Sequence, residues 1–450
     1  MRTLARTARD LATGTSCRSL VEECLARIID PAGEGRRTFL KVHADQARAA
    51  ADYFDVLRRH AAAPSRFAGI PISVKDLFDV SGDVTTSGSV ALRDRPAATR
   101  DAVAVARVRA AGFIPIGRTN MTEFAFSGIG MNPHHDTPRN PYDRATGRMP
   151  GGSSSGAAVS VTDGMAIGAI GTDTGGSCRI PAAVCGIVGY KPTAKRIPTE
   201  GVLPLSFTLD SVGPLAPTVA CCAALDAVMA GEEPNDLTPL PLDGLRLAAP
   251  QTMVVDGMDS TVAGVYAAAL SRLSKAGAKI VDLPLTEFND IALLNRRGGF
   301  AAAEAYAWHH KLIEAKGHLY DPRVLVRIMR GKDQDATHYI ELLGTRADLI
   351  RRVAAISSQY DALVMPTVPI IASSLASLEV EEQFRTVNLL MLRNTTIANV
   401  LDRCAISIPC HRRGDAPVGL MLVGENGADR RLFSIAAAVE HFISPESDKS

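Results

Sequence analysis

Residues 150–156 read PGGSSSG, and residues 171–177 read GTDTGGS. Apolar sequence flanks both segments closely, so neither has the composition of a flexible linker. Upstream, residues 69–76 read GIPISVKD and place Lys75 directly after a short apolar run. A lysine together with two serines can form a hydrolytic site that needs no histidine. These three segments are therefore the first candidates for a functional site.

Composition favours a folded protein with a large core. Of the 450 residues, 46% are apolar and 22% are charged, and the formal net charge is +1. No long block of like charge occurs, which argues against a nucleic-acid groove or a membrane-surface patch. No apolar run approaches the ~18–20 residues that a membrane span needs. Residues 1–20 contain arginines but no apolar run with a cleavage site, so we expect an ordinary amphipathic helix there.

The eight cysteines are scattered along the chain and include no Cys-x-x-Cys pair. This distribution differs from the dense disulfide framework of small secreted domains. We predict free, mostly buried thiols in a reducing cytoplasm. Cys178 directly follows Ser177, and we interpret it as a small core residue.

The order of predicted elements indicates an α/β fold. From residue 67, short apolar runs typical of buried strands alternate with helical stretches such as 102–111. Residues 157–169, rich in Ala, Gly and Val, are predicted to form a buried helix. Residues 126–156 are predicted to be a long loop, which in a compact domain is usually functional.

We therefore predict one domain, in which helices cover both faces of a central, mixed and largely buried β-sheet. The two ends of the chain are expected to complete the same core. The predicted parts are N-terminal helices (1–65), a catalytic core (66–225), a variable helical substrate region (226–390) and a C-terminal strand and helix (391–445).

The second glycine-rich segment can supply a nucleophile and the donors that stabilise an oxyanion. Glycines let consecutive N–H groups converge, because no Cβ blocks the required backbone angles. The amides of Thr174, Gly175, Gly176 and Ser177 are the candidate donors, and Ser177 is the candidate nucleophile. A tight turn or a phosphate cradle is the alternative for such a loop, although neither Gly-x-x-x-x-Gly-Lys-Ser/Thr nor a helix-opening Gly-x-Gly-x-x-Gly occurs.

Lys75 is the candidate base. None of the ten histidines lies in a Gly-x-Ser-x-Gly elbow or a His-Glu-x-x-His zinc motif, and we predict no metal. A free lysine, with a pKa of about 10.4, is a poor base at neutral pH, but burial lowers that pKa. The alternative is a lysine that faces solvent at a strand end.

Taken together, these segments resemble the amidase signature family. The resemblance rests on PGGSSSG and on residues 171–186, GTDTGGSCRIPAAVCG. Further similar segments are 69–79, 117–124 (GRTNMTEF), 140–143 (NPYD), 191–193 (KPT), 209–214 (LDSVGP) and 417–424 (PVGLMLVG). The similarity covers about residues 5–440 and implies the fold of that family.

The resemblance implies a role for each residue of a catalytic triad. Ser177 matches the nucleophile and Lys75 the base. Ser153 matches a serine that follows a cis peptide bond and whose hydroxyl bridges the other two. An acyl-enzyme on Ser177 is the implied intermediate, and no cofactor is implied.

Four further residues match positions that support the catalytic residues of that family. Asp173 and Arg179 match a charged pair that we interpret as scaffold for the nucleophile turn. Ser154 and Ser155 match serines at a helix start, and Ser155 is predicted to cap that helix.

The loop at 124–135 is predicted to form part of the substrate pocket, through Phe126, Gly128, Ile129 and Met131. Packing beneath the site is the alternative for the apolar ones.

The leading hypothesis is a free-standing amidohydrolase that cleaves a neutral carboxamide, anilide or carbamate, which would include urethanase activity. The alternative is the catalytic A-type chain of a glutamine-dependent aminoacyl-tRNA amidotransferase. Residues 335–341 lack the tyrosine-rich stretch typical of that chain. A non-catalytic binding protein is disfavoured because all three triad residues are present. We predict a small-molecule substrate, no nucleic-acid or membrane partner and a cytoplasmic location, with a homodimer as one possible assembly.

Overall fold

A computed structural model describes residues 1–443. Within them, eleven strands form one sheet in the order β1-β3-β2-β4-β6-β5-β10-β11-β9-β7-β8. The strands are β1 (Phe39–Val42), β2 (Pro71–Lys75), β3 (Ile114–Thr119), β4 (Gly168–Asp173), β5 (Val188–Lys191), β6 (Ser211–Ala216), β7 (Arg246–Pro250), β8 (Lys279–Leu283), β9 (Ala362–Pro366), β10 (Ala405–Pro409) and β11 (Gly419–Val423).

The sheet is mixed, as predicted. Strand β2 pairs in parallel with β3 and β4, and β7 pairs in parallel with β8 and β9. The remaining pairs are antiparallel, including β4 with β6 and β10 with β11. Strands β2, β3 and β4 are buried along their whole length, which explains why each begins with a short apolar run in the sequence.

Helices surround the sheet. They are α1 (Leu4–Ala12), α2 (Cys17–Ile29), α3 (Gly35–Thr38), α4 (Ala44–Arg59), α5 (Val103–Ala110), α6 (Ser155–Thr162), α7 (Arg179–Cys185), α8 (Val219–Ala230), α9 (Ser260–Lys275), α10 (Asn289–Leu294), α11 (Gly299–Lys316), α12 (Pro322–Met329), α13 (Ala336–Ser357), α14 (Glu381–Arg393), α15 (Thr396–Val400) and α16 (Asp429–Ile443). Short 3₁₀ turns occur at Val90–Leu92, Glu123–Ala125, Thr286–Phe288, Gly317–Leu319, Arg330–Asp333 and Ala376–Glu379.

Successive residues of a strand contribute to different parts of the core. In β4, Ile170 joins the largest apolar cluster whereas Ala169 packs in a second one. In β11, Leu422 joins the largest cluster and Met421 a third one. Because side chains alternate between the two faces of a strand, both faces of the sheet are covered. The predicted α/β architecture is confirmed.

Three details differ from the sequence prediction. Edge strand β1 lies within the segment predicted to be only helical, and strands β7 and β8 lie within the predicted helical region. The helix predicted for 157–169 ends at Thr162, because Gly164 takes a positive φ of 66° and the chain then enters β4. An Ala-, Gly- and Val-rich sequence is compatible with a buried helix and with a buried strand, so composition could not locate this boundary.

Among residues 1–443, no helix is both long enough and apolar enough to cross a membrane.

Candidate active site

Lys75 is the last residue of β2, and its side chain is fully buried. Its Nζ lies 2.7 Å from Ser153 Oγ and 3.0 Å from Thr172 Oγ1. No carboxylate forms an ion pair with this amine within the described chain. Burial disfavours the ammonium and lowers the pKa of Lys75 to about 8. The amine is therefore partly neutral near physiological pH.

The strand end that carries Lys75 is fixed by its neighbour. Asp76 Oδ1 accepts a hydrogen bond from Arg118 Nε at 2.6 Å, and Arg118 Nη2 donates to the Phe78 carbonyl at 2.8 Å. Arg118 belongs to β3, the parallel partner of β2. This buried ion pair joins the two strands directly beside the lysine.

Ser153 lies in the loop that precedes α6, after a cis peptide bond between Gly152 and Ser153. Its carbonyl accepts the Thr122 amide at 3.1 Å, and the Gly152 amide donates to the Gly128 carbonyl at 2.8 Å. The first glycine-rich segment is thus attached to the loop that contains the predicted pocket residues.

Ser177 lies in the turn between β4 and α7. Its carbonyl accepts the Ser154 amide at 3.3 Å, which brings the two glycine-rich segments together. Gly176 has a φ of 131°, and a Cβ there would lie 2.2 Å from Thr395 Oγ1, so only glycine fits. Ser177 Oγ has no hydrogen-bond partner among the described residues, and its link to Ser153 stays a prediction.

The amides of the turn differ in their hydrogen bonds. Gly176 N–H donates to Asp173 Oδ1 at 2.8 Å, and its part in an oxyanion site stays a prediction. The amides of Thr174, Gly175 and Ser177 have no acceptor in the described part of the chain. Gly175 is partly exposed, whereas Thr174, Gly176 and Ser177 are buried.

Asp173 and Arg179 form a fully buried ion pair beneath the turn. Arg179 Nη2 lies 2.7 Å from Asp173 Oδ1, and Arg179 Nη1 donates to the Thr395 carbonyl at 2.8 Å. Burial opposes ionisation of Asp173, but Arg179 and the Asn399 amide outweigh it and hold the pKa of that carboxyl at about 2. Because Asp173 also accepts the Gly176 and Cys178 amides, the pair supports the turn.

Three residues beside the candidate triad, Ser154, Ser155 and Cys178, lie in surroundings typical of structural residues. Ser154, rather than Ser155, occupies the N-cap position of α6, and Ser155 Oγ is buried without a partner. The predicted cap on Ser155 is therefore wrong by one residue, and Ser154 makes no side-chain cap either. The Cys178 thiol is buried and lies 3.5 Å from the Gly213 carbonyl, and burial raises its pKa well above the usual range.

Comparison with known proteins identifies the family. The sequence profile of the family described as Amidase matches residues 19–433. The chain belongs to the amidase signature family. It is 37% identical over 402 residues to a 2-amino-5-chloromuconic acid deaminase of Comamonas testosteroni, a match that covers 88% of this chain and 87% of the relative.

Other relatives bear different names. The A chain of the glutamyl-tRNA(Gln) amidotransferase of Anaeromyxobacter sp. (strain K) is 33% identical over 96% of this chain and 94% of the relative. A crystal structure of an amidase superimposes with a TM-score of 0.90, 29% identity, and 98% and 100% coverage of the two chains. The chain is thus an amidohydrolase of the amidase signature family, and the family alone leaves its substrate open.

The predicted pocket residues of this amidase signature protein differ in exposure. Ile129 is fully buried in the second apolar cluster, which favours the packing alternative for its side chain. Phe126 and Met131 are half-buried. A Cβ on Gly128 would lie 3.3 Å from Leu392 Cγ, and one on Gly175 would lie 3.4 Å from Leu392 Cδ2. Leu392, on α14, therefore lies between the loop and the nucleophile turn.

Sequence reasoning missed three residues near this amidase site. Thr172 contacts Lys75, and its place in GTDTGGS was the available signal. Asn388 Oδ1 accepts Ser127 Oγ at 2.8 Å and the Gly128 amide at 3.0 Å. Arg327 Nη1 donates to the Phe126 carbonyl at 3.0 Å. The last two lie far along the chain in ordinary helices, so no local pattern indicated them.

The charge of Arg327 is not paired with a carboxylate within ion-pair distance among the described residues, whereas Arg323 lies 3.3 Å from Glu381. Burial lowers the pKa of Arg327 to about 10, so the guanidinium stays charged. No group of three or more His, Cys, Asp or Glu side chains in residues 1–443 is arranged to hold a metal ion.

Proposed function

We propose that the protein hydrolyses the C–N bond of a small carboxamide, anilide or carbamate through an acyl-enzyme on Ser177. The observation that supports this most is the environment of Lys75: a fully buried amine, with a pKa lowered by burial, 2.7 Å from Ser153 Oγ. A neutral amine in that position can act as a base. The hydrogen bond from the Ser154 amide to the Ser177 carbonyl supports the choice of Ser177 as the nucleophile.

The proposed reaction begins with neutral Lys75. It accepts a proton from Ser153, which accepts one from Ser177 as Ser177 Oγ attacks the substrate carbonyl. The free amides of Thr174, Gly175 and Ser177 stabilise the oxyanion. The proton returns through Ser153 to the leaving nitrogen, the C–N bond breaks, and water then releases the acyl group by the same relay.

The test is the identity of the nucleophile. Ser177→Ala should abolish turnover while the protein keeps its fold, and a fluorophosphonate should modify Ser177 in the wild-type protein. Peptide mapping by mass spectrometry locates the adduct, and circular dichroism checks the variant. An adduct on Ser153 or Cys178, or full activity of the alanine variant, would refute the assignment.

We further propose that the substrate carries an acidic group that binds Arg327. This guanidinium is half-buried, contacts the carbonyl of a predicted pocket residue and lacks an ionic partner in the described chain. Arginine is well suited to a carboxylate because its planar fork offers parallel donors. The name of the relative from Comamonas testosteroni, a 2-amino-5-chloromuconic acid deaminase, agrees with an acidic substrate.

The second candidate is the A-type chain of a glutamine-dependent amidotransferase. The 33% identity to the A chains of glutamyl-tRNA(Gln) amidotransferases over most of both chains favours it. Such a protein would act on glutamine with partner chains, whereas the first candidate acts alone.

We also propose a cytoplasmic location. All eight cysteines are buried free thiols, which suits a reducing compartment.

A further inference from the structure

The side chain of Asp210 lies beside the nucleophile turn because of the register between two strands. Asp173, the last residue of β4, pairs with Ser211, the first residue of β6. The next residues outward are therefore Thr174 on one strand and Asp210 on the other. Thr174 Oγ1 donates to Asp210 Oδ1 at 2.5 Å.

The other carboxylate oxygen of Asp210 holds the loop before β6. Its Oδ2 accepts the amides of Leu205 at 3.0 Å and Ser206 at 3.1 Å. Hydrogen bonds to an ionised acceptor are stronger than neutral ones. One carboxylate thus joins the nucleophile turn to this loop.

The loop is itself fixed to the helical region by a second buried carboxylate. Glu304, on α11, accepts Ser206 Oγ at 2.6 Å, the Thr208 amide at 3.0 Å and Tyr339 OH at 2.6 Å. These donors satisfy Glu304, so it serves as an anchor. Asp210 therefore connects the turn to a well-held part of the molecule.

The start of the turn has few other constraints. Asp173 holds the amides of Gly176 and Cys178, and Thr395 Oγ1 donates to the Gly175 carbonyl at 2.6 Å. Asn399 Nδ2 donates to the Asp173 carbonyl at 3.0 Å and so fixes the peptide before Thr174. Gly175 has no side chain to fix the next peptide, and the Thr174 hydroxyl is the side-chain group that holds that part of the turn.

We propose that Asp210 is a positioning residue that, through the Thr174 hydroxyl, aims the free amides of the turn at the oxyanion. This inference rests on the proposed function, because it assumes that Ser177 attacks a carbonyl there. Releasing Thr174 would let the Thr174–Gly175 peptide rotate and weaken donors that matter only in the transition state. Substrate binding in the ground state would change little.

The experiment compares Thr174→Val, Asp210→Asn, the double variant and the conservative Thr174→Ser. Glu304→Gln is the matched control, since it loosens the same loop from α11 while the bond from Thr174 to Asp210 stays. For each variant we would measure kcat and KM on an amide substrate, the rate of fluorophosphonate modification of Ser177, and the melting temperature.

Thr174→Val and Asp210→Asn should each lower kcat by about 10- to 100-fold, less than the loss of a whole oxyanion donor, with KM nearly unchanged. The fluorophosphonate rate should fall in parallel. The double variant should lose less than the sum of the two single losses, because Thr174→Val removes the same bond that Asp210→Asn weakens. Thr174→Ser should restore kcat, and Glu304→Gln should lower the melting temperature more than kcat.

Wild-type kcat in Thr174→Val, fully additive losses in the double variant, or an equal loss of kcat in Glu304→Gln would overturn the inference. A wild-type protein that neither turns over amides nor reacts with the fluorophosphonate would instead refute the proposed function. Because the two failures differ in the behaviour of the wild-type protein, they are distinguishable. Should Asp210→Asn fail to fold, Thr174→Val and Thr174→Ser still decide the outcome.

Discussion

The chemistry of Lys75 follows from where its amine is held. A lysine in water keeps its proton at neutral pH, whereas a fully buried one without a carboxylate partner loses it far more readily. Here the amine lies at the end of a central strand, and hydroxyl groups rather than carboxylates contact it. Under the proposed function, that arrangement makes Lys75 the base of the reaction without the help of histidine.

The activity should therefore rise with pH. Below the Lys75 pKa of about 8 the amine is protonated and cannot accept a proton, so kcat should fall on acidification and level off above that pKa. Lys75→Ala should be almost inactive, and Lys75→Arg should not recover activity, since arginine stays protonated. A pH–rate profile of the three proteins checks this. Wild-type turnover in the arginine variant would exclude Lys75 as the base.

Arg179 should matter for stability as well as for activity. Arg179→Met would leave the Asp173 carboxylate buried without its partner, and breaking such a pair costs about 3–5 kcal/mol of unfolding free energy. Urea denaturation measures the loss. The double variant Asp173→Asn with Arg179→Met should recover part of it, because neither charge remains. Equal stability of the arginine variant and the wild type would contradict the scaffold role.

At the scale of residues, the predictions included a contact between Lys75 and Ser153 and a pair of Asp173 with Arg179, and both occur in the structure. They did not indicate that the Gly176 amide is already bonded to Asp173. That fact depends on side-chain geometry, which a glycine-rich pattern does not contain. Asn388 and Arg327 approach the site from helices more than 190 residues away from the loop that they contact, and spacing carries no information about such contacts.

At the scale of elements, the loop at 126–131 and helix α14 form one wall beside the nucleophile turn. Asn388 bonds to the loop, and Leu392 packs between the loop and the turn. Ile129 lies beneath this wall, in contact with the core, while Phe126 is partly accessible. The two apolar residues of one loop therefore have different expected roles.

Ile129→Ala should cost about 2–5 kcal/mol of unfolding free energy, as is usual for a truncation in a packed core. The order in which the variant prefers its substrates should stay the same. Phe126→Ala is the matched substitution, and it should change that order with a smaller loss of stability. Denaturation curves and kcat/KM over a panel of amides check both. A changed preference with unchanged stability in Ile129→Ala would instead place its side chain in the pocket.

Helix α12 offers a test of the acidic substrate. Arg327→Met should raise KM for amides that carry a carboxylate and leave neutral amides of the same size almost unaffected. Arg323→Met is the control, because that arginine already has Glu381 as its partner. Steady-state kinetics on matched acidic and neutral pairs distinguish the variants. Equal effects of Arg327→Met on both kinds of substrate would exclude carboxylate recognition.

Elements were predictable where hydrophobic pattern and length agreed. Strand β11 and helix α16 occur where the sequence places them. Strands β1, β7 and β8 were missed because each lies among helices and contains a charged residue, whereas β11 is a continuous apolar run of similar length. A short apolar run gains its strand character from the neighbours it pairs with, and those neighbours are distant in sequence.

At the scale of the whole molecule, the sheet unites distant parts of the chain. Strand β5 pairs with β10, so the sequence just after α7 contacts the C-terminal part directly. Strand β9 joins β11 to β7, which places the middle segment in the same sheet. The candidate residues are therefore brought together from distant parts of this chain.

The isolated chain should accordingly hydrolyse amides without a partner. The decisive panel contains a matched amide and ester, an aryl carbamate and free glutamine. Because Lys75 can deliver a proton to the leaving nitrogen through Ser153, the amide should compete with the ester, whose leaving group needs less assistance. Ser177→Ala protein from the same purification controls for contaminating hydrolases. Turnover of glutamine alone, rising when the partner chains of an amidotransferase are added, would favour the second candidate function over the free-standing amidase.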